Sequence, residues 1–243
     1  MQIEILYQDA DIVVVNKPQQ TLTIPDRYRP ELPSVVKQLE QMLDVEKIWI
    51  VHRLDKDTSG VLCFALNAPA HRHLSIQFEH QHPCKRYWAL VEGVLLDKSG
   101  VIDAAIDEHP TKPGLMSVQA KGKPSVTHYQ VLEEFKKYSI VEAQPKTGRT
   151  HQIRVHLAYL GYPLAVDPLY GTQTELFLSD IKQRKFKLQK HTEEQPMLAR
   201  VPLHAHSITL KHPTTEAEMT FTAALPKDLQ AVHNQLIKWG NKH

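Results

Sequence analysis

At 243 residues, with 42% hydrophobic and 23% charged side chains, the chain can bury a core as one large domain or two small ones. A formal charge of +2 is too mild to argue for nucleic acid by itself, and no apolar run approaches the roughly 18 residues of a membrane span. The two cysteines, Cys63 and Cys84, lack Cys-x-x-Cys spacing, and the acidic opening has no basic n-region; buried thiols in a cytoplasmic protein without a secretory signal are expected.

In chain order, EILYQDADIVVVNKP predicts a strand, a turn at residues 9–11 and a second strand over 12–15, stopped at Pro18. Residues 19–33 hold three prolines and read as a loop. Ser34 is placed to cap a helix with Val35, Leu39, Met42 and Leu43 on one face. Strands are expected at 48–51 and 61–66, on either side of a polar stretch. Asn67 then caps a helix carrying Pro69 early and Ala70, Leu74 and Phe78 on one stripe. CKRYWALVEGVLL reads as a strand with a bulge at Gly93. The polar stretch 103–124 reads as a long hairpin excursion, and 126–133 with 138–143 as a strand pair joined through Phe135, Lys136 and Lys137. In KTGRTHQIRVHLAYLGYP, Thr150 is the expected cap of a helix whose apolar face is Ile153, Leu157 and Leu160, ended by Gly161 and Pro163. Residues 181–190, IKQRKFKLQK, hold five Lys or Arg and no acid. A strand pair across 212–214 and a helix from Pro226 to Trp239, with Leu229, Val232 and Leu236 inward, close the chain. Many strands with few helices, in no regular alternation, predict an α+β fold with a mixed sheet.

The stretch between the strands at 48–51 and 61–66 is HRLDKDTSG, residues 52–60. An imidazole, a guanidinium, two carboxylates and two hydroxyls this close are costly to bury unpaired, so the segment belongs at a cleft or a surface turn. Gly60 permits a sharp turn into the next strand. A charged hairpin loop and a catalytic loop both fit that composition. Asp55 and Asp57 suggest paired-carboxylate glycoside chemistry, whose outcome depends on a separation that sequence does not supply. Three His-x-His pairs, at 71/73, 80/82 and 204/206, prompt a metal test. The first lies on a predicted helix, where such residues face apart, and no HExxH occurs, so no metal is expected. Tyr87 fits a packed strand aromatic and Arg154 a helix surface charge.

Taken together, NKP, HRLDKDTSG, KRYWALVEG, PKTGRTHQIRVHL with GYPLAVDPLYG, and LHAHSITLKHP resemble, in order, the catalytic domain of the RluA-type RNA pseudouridine synthases. The resemblance implies one catalytic domain over residues 1–243: a large mixed, mostly antiparallel sheet flanked by helices, with a basic insertion at 172–200. It implies isomerisation of specific uridines in structured ribosomal or transfer RNA, with the target base flipped out of its stack. Asp55 is then the nucleophile, attacking sugar or base. Tyr87 stacks on the base or serves in proton transfer, and Arg154 pairs with the Asp55 carboxylate. Arg53 is placed to fill the gap left by the flipped base, and Lys17 and Arg149 to contact phosphate or line the site. Lys182, Arg184, Lys185, Lys187 and Lys190 are candidates for the RNA backbone. No cofactor is implied. The partner is RNA, no membrane is involved, a monomer is expected, and the S4-type RNA-binding module carried by many family members is expected to be absent. Two other classes fit parts of the pattern: a carboxylate-dependent glycosidase or nucleoside hydrolase, and a non-catalytic RNA-binding protein.

Overall fold

The computed structural model describes residues 3–187 and 193–240, and the chain folds as two compact units. The first comprises Met1–Tyr87 with His204–Ala224, and the second Trp88–Leu203 with Leu225–His243. Among the described residues no helix is long and apolar enough to cross a membrane.

The chain opens with the antiparallel pair β1 (Glu4–Gln8) and β2 (Ile12–Lys17). Asp9 makes the turn between them, its carboxylate accepting the N–H groups of Asp11 and Ile12. Helix α1 (Val35–Leu43) is capped by Ser34, as expected, and buries Val35, Val36 and Leu39. Met42, expected on that face, is exposed. The short β3 (Trp49–Ile50) precedes β4 (Ser59–Ala65), which is buried at all seven positions, as a continuous apolar run flanked by neighbours on both sides should be. Helix α2 (Ala68–Glu79) starts at Asn67, whose side chain accepts from the Ala70 N–H. Strand β5 (Cys84–Glu92) begins in the first unit and continues into the second. It stops at Glu92. Gly93 is no bulge; with φ 94 it turns the chain out of the strand.

In the second unit, β6 (Ser99–Asp103) pairs with β9 (Val126–Glu134), and the expected excursion between them is the small hairpin of β7 (Ile106–Glu108) and β8 (Met116–Val118). Strand β10 (Tyr138–Pro145) pairs antiparallel with β9. Helix α3 (Gln152–Tyr159) lacks the Thr150 cap that its sequence predicts. His151 holds the N-cap position at φ 55. The long amide of Gln152 instead receives the Arg149 N–H and the Thr147 hydroxyl, doing from inside the helix what a capping hydroxyl does from outside. Residues 152–157 are all buried, so the helix has no solvent face over that span. Helix α4 (Leu178–Lys182) leads into a 3-10 turn over Gln183–Lys185.

Strand β11 (Leu203–Lys211) returns to the first unit and pairs antiparallel with β12 (Glu218–Thr222) and parallel with β4. The strand order there is β1-β2-β4-β11. Helix α5 (Lys227–Trp239) closes the second unit with Leu229, Val232 and Leu236 inward, against a core that includes Trp88, Phe135, Tyr138 and Ile140. The parallel β4–β11 pair beside antiparallel ones makes the sheet mixed and the fold α+β.

Candidate active site

HRLDKDTSG is a turn delivered by a loop and ended by β4. The Thr58 N–H bonds the Asp55 carbonyl at 3.2 Å, so Asp55 opens a tight turn and does not share a strand face with Asp57. Two neighbouring segments hold the backbone on either side of Asp55. Thr23 is buried and its hydroxyl makes a reciprocal clamp on the residue before the aspartate, donating to the Leu54 carbonyl at 2.9 Å and accepting from the Leu54 N–H at 3.2 Å. Thr23 is itself held by α1, because the first helical amides of Val35 and Val36 donate to the Leu22 and Thr23 carbonyls. On the other side, Lys17 at the end of β2 is fully buried. Its ammonium donates to the carbonyls of Pro18, Thr21 and Lys56 at 3.0, 2.7 and 3.0 Å. Expected at the site wall or on phosphate, Lys17 faces the loop's own main chain.

The end of the motif is locked from both neighbouring strands. Gly60 pairs with Lys17 of β2 and with Ala205 of β11. Its φ of +115 and its closeness to Ala205, whose carbonyl oxygen would lie 2.2 Å from an added Cβ, exclude any larger side chain. One residue earlier, Ser59 Oγ lies 3.0 Å from His204 Nδ1, and His204 Nε2 lies 3.2 Å from the Ala223 carbonyl. The closing LHA motif thus anchors the HRLDKDTSG motif across the parallel β4–β11 contact.

Two rings differ in what they contribute. His52 stacks on Phe78 with centroids 4.6 Å apart and accepts the Cys63 N–H through Nε2. Burial and the nearby Lys85 charge lower its pKa to about 3, so it is a neutral structural acceptor. Tyr87, on β5, packs against the cluster that contains Leu54, Phe64 and Ala205. Its pKa is pushed well above the usual range by burial first and by the Asp55 charge second. Within this unit, the Tyr87 phenol and the Asp55 carboxylate therefore share one electrostatic environment, and the phenol keeps its proton at neutral pH. Among the described residues of this unit no hydrogen bond takes up the Asp55 carboxylate.

In the second unit Arg154 is not the surface charge that helix periodicity permits. It is 4% exposed and forms a two-bond fork on Asp167, Nε to Oδ2 and Nη2 to Oδ1, both at 2.8 Å. Asp167 Oδ1 also accepts the N–H groups of Leu169 and Tyr170, which curls the DPLYG turn around the ion pair. The Tyr170 ring lies 5.0 Å from the Arg154 guanidinium, and its hydroxyl meets His151 Nδ1 at 2.8 Å and the Met116 N–H at 3.0 Å. Asp167 and Tyr170 are partners of Arg154 that periodicity did not reveal. The available signal was an Asp-Pro turn three residues before an aromatic.

Comparisons with known proteins place the chain in a family. The model of a family described as RNA pseudouridylate synthase matches residues 11–159. Ribosomal large subunit pseudouridine synthase D of Escherichia coli strain K12 is 35% identical over 237 residues, covering 93% of this chain and 68% of the relative. The Vibrio parahaemolyticus protein of the same name is 35% identical, covering 97% of this chain and 71% of its own. The chain belongs to the RNA pseudouridylate synthase family. Among solved structures, human RNA pseudouridylate synthase domain containing 4 superposes with a TM-score of 0.74 at 27% identity, covering 96% of this chain and 93% of that one. Domain containing 1 gives 0.67 at 26%, with 100% and 97% covered. The fold is the pseudouridine synthase fold, and the activity is isomerisation of uridine within RNA.

For such an enzyme the remaining candidates fall in distinct places. Arg53 is exposed beside buried Leu54, and Asp57 is half-buried in the turn. Arg149 is exposed and donates through Nε to the Pro124 carbonyl. Lys182 ends α4, Arg184 and Lys185 lie in the 3-10 turn, and Lys187 is exposed just beyond it. Lys190 lies outside the described residues. One cluster has the donor set of a metal site: ligand atoms of Asp9, Asp11 and His212 lie within 4.8 Å of one another. Its carboxylates already accept Tyr7, His212, Asn67, Thr214 and two backbone N–H groups, so in this structure they tie the β1–β2 turn to the end of β11. Of the three His-x-His pairs, His73 reaches Glu216 at 2.6 Å while His71 faces the Ile50 carbonyl, as two residues apart on a helix should.

Proposed function

We propose that the substrate is large-subunit ribosomal RNA and that Asp55 is the nucleophile. The observation that carries the substrate is the 35% identity, across 93% of the chain, to a synthase named for that RNA. In the net reaction the N1–C1′ bond of uridine breaks and a C5–C1′ bond forms, while a proton leaves C5 and one is taken up at N1. No electrons enter or leave, so no redox partner is needed. Asp55, held by its backbone with its carboxylate presented from a turn, supplies the attacking anion. Tyr87, protonated at neutral pH, offers the target base a ring face and a hydroxyl donor. Arg154 is the cation that the family resemblance assigns to the nucleophile, and Arg53 a planar cation suited to the stack that the base vacates. Arg149, Lys182, Arg184, Lys185 and Lys187 serve RNA binding in this reading.

Pseudouridine maps of ribosomal and transfer RNA, from cells carrying the wild type or Asp55→Asn, test both parts. The aspartate variant should lose specific large-subunit sites completely, and Asp57→Asn should keep them. Loss confined to transfer RNA would overturn the substrate. Full retention in Asp55→Asn would overturn the nucleophile, and equal damage from both variants would favour paired-carboxylate chemistry.

A further inference from the structure

The second unit carries a concentration of positive charge that the active-site residues do not use. Trp239, the last residue of α5, is partly buried against the core, and three lysines converge on its ring. Lys182, Lys238 and Lys185 place Nζ at 4.9, 5.3 and 5.9 Å from the ring centroid. They come from two elements distant in sequence: α4 with its 3-10 turn, and the last turn of α5. The β9–β10 turn adds more. The Lys136 N–H bonds the carbonyl of Gly240, next to Trp239, and Lys136 and Lys137 line a surface depression with Gln183 and Gly240. Lys136, Lys137, Lys185 and Lys238 are exposed. Among the described residues, none of these five lysines has a carboxylate within ion-pair distance. The depression does contain one acid, Asp180, which accepts the Phe177 N–H.

Lys238 and Lys182 lie in the last turns of α5 and α4, where a cation is favoured. Lys136 and Lys137, in the β9–β10 turn, have no such helix end to favour them. Five like charges gathered by three elements raise the local positive potential, which a polyanion would offset, and the indole holds three of them without using their N–H donors. We infer that this lysine cluster around Trp239 is a docking surface for the phosphate backbone of the substrate RNA. The inference rests on the reading that the enzyme acts on structured RNA. It adds Lys136, Lys137 and Lys238 to the basic residues of the 181–190 segment as a single surface.

The test is the salt dependence of binding, by fluorescence anisotropy, to a labelled fragment of large-subunit ribosomal RNA. Changing Lys136, Lys137 and Lys238 together to Gln should lower the log–log slope by about 2 to 3 units if each contacts a phosphate. The same three changed to Arg keep the charge and should keep the slope, which separates charge loss from disturbed folding. An unchanged slope in the Gln variant overturns the surface, as does equal flattening in both variants. So does an unchanged RNA slope accompanied by lost binding to anionic phospholipid vesicles, which would assign the patch to a membrane surface. Pseudouridine formation by the wild type on the same fragment is scored separately. Its absence refutes the functional reading, while the slope still judges the patch.

Discussion

The Asp55 loop and the Arg154 helix solve the same problem by opposite means. In the first unit the carboxylate of Asp55, the proposed nucleophile, accepts no hydrogen bond from the described residues of that unit, and the main chain around it is fixed. Thr23 grips Leu54 from one side, Lys17 grips Lys56 from the other, and the Thr58 amide closes the turn. In the second unit the side chain itself is fixed, through a buried fork on Asp167 with Tyr170 stacked nearby. A nucleophile must leave its carboxylate available, so only its backbone can be restrained. A buried guanidinium has to be paired, so its own partner does the restraining. Damage to the two regions should therefore look different: lost rate in the first, lost stability in the second.

The largest effect is expected where the ion pair is broken. Asp167→Ala removes the buried two-bond fork on Arg154 and two turn hydrogen bonds, and it should destabilise the fold by about 3–5 kcal/mol. Urea denaturation measures this. A change below about 1 kcal/mol would mean that water or another group satisfies Arg154, and the contrast between the regions would fail.

A smaller, kinetic effect is expected at Thr23. Thr23→Val keeps the shape and deletes the hydroxyl, freeing the Leu54 peptide beside the proposed nucleophile. Single-turnover isomerisation should fall roughly 10- to 100-fold, the scale of a modest misplacement of reacting groups, with RNA affinity held. Thr23→Ser should restore most of the rate. If Val and Ser behave alike, or if affinity falls in step with rate, Thr23 is packing and not a positioning residue.

The smallest effect at neutral pH, which grows only in acid, sharpens the picture of His52. Its folded pKa is about 3, below the unfolded value near 6.5, so the unfolded chain takes up the proton first as pH falls. The stabilisation is complete above about 6.5 and is lost as pH drops from there towards 3. His52→Gln keeps an acceptor for the Cys63 N–H without a titrating ring. The slope of stability against pH over that window should then shrink by close to one proton. An unchanged slope would place the acid sensitivity elsewhere, for instance at buried His156, whose pKa burial also lowers.

Local chemistry made much of this protein legible before any coordinates. Ser34 and Asn67 cap the helices that their positions announce, because a short polar side chain before an apolar period has one favourable use. The string HRLDKDTSG marked a polar turn between two buried segments, and the fold and activity implied by its family resemblance hold. Where local signals competed, reading failed. Thr150 has the right chemistry for a cap, yet Gln152 performs the task because its amide reaches β9 partners 25 and 26 residues away.

The limit is physical. Periodicity and capping depend on neighbours within one or two turns, and these are written in the chain. The partner of a buried polar group depends on which distant backbone the fold brings beside it. Nothing local distinguishes a Lys17 that faces phosphate from one enclosed by three carbonyls, or an Arg154 on a surface from one forked on Asp167. Gly60 shows both levels at once. Its place after a polar run predicts a turn, but the reason it must be glycine is the carbonyl of Ala205, 145 residues on, which β11 presses against it.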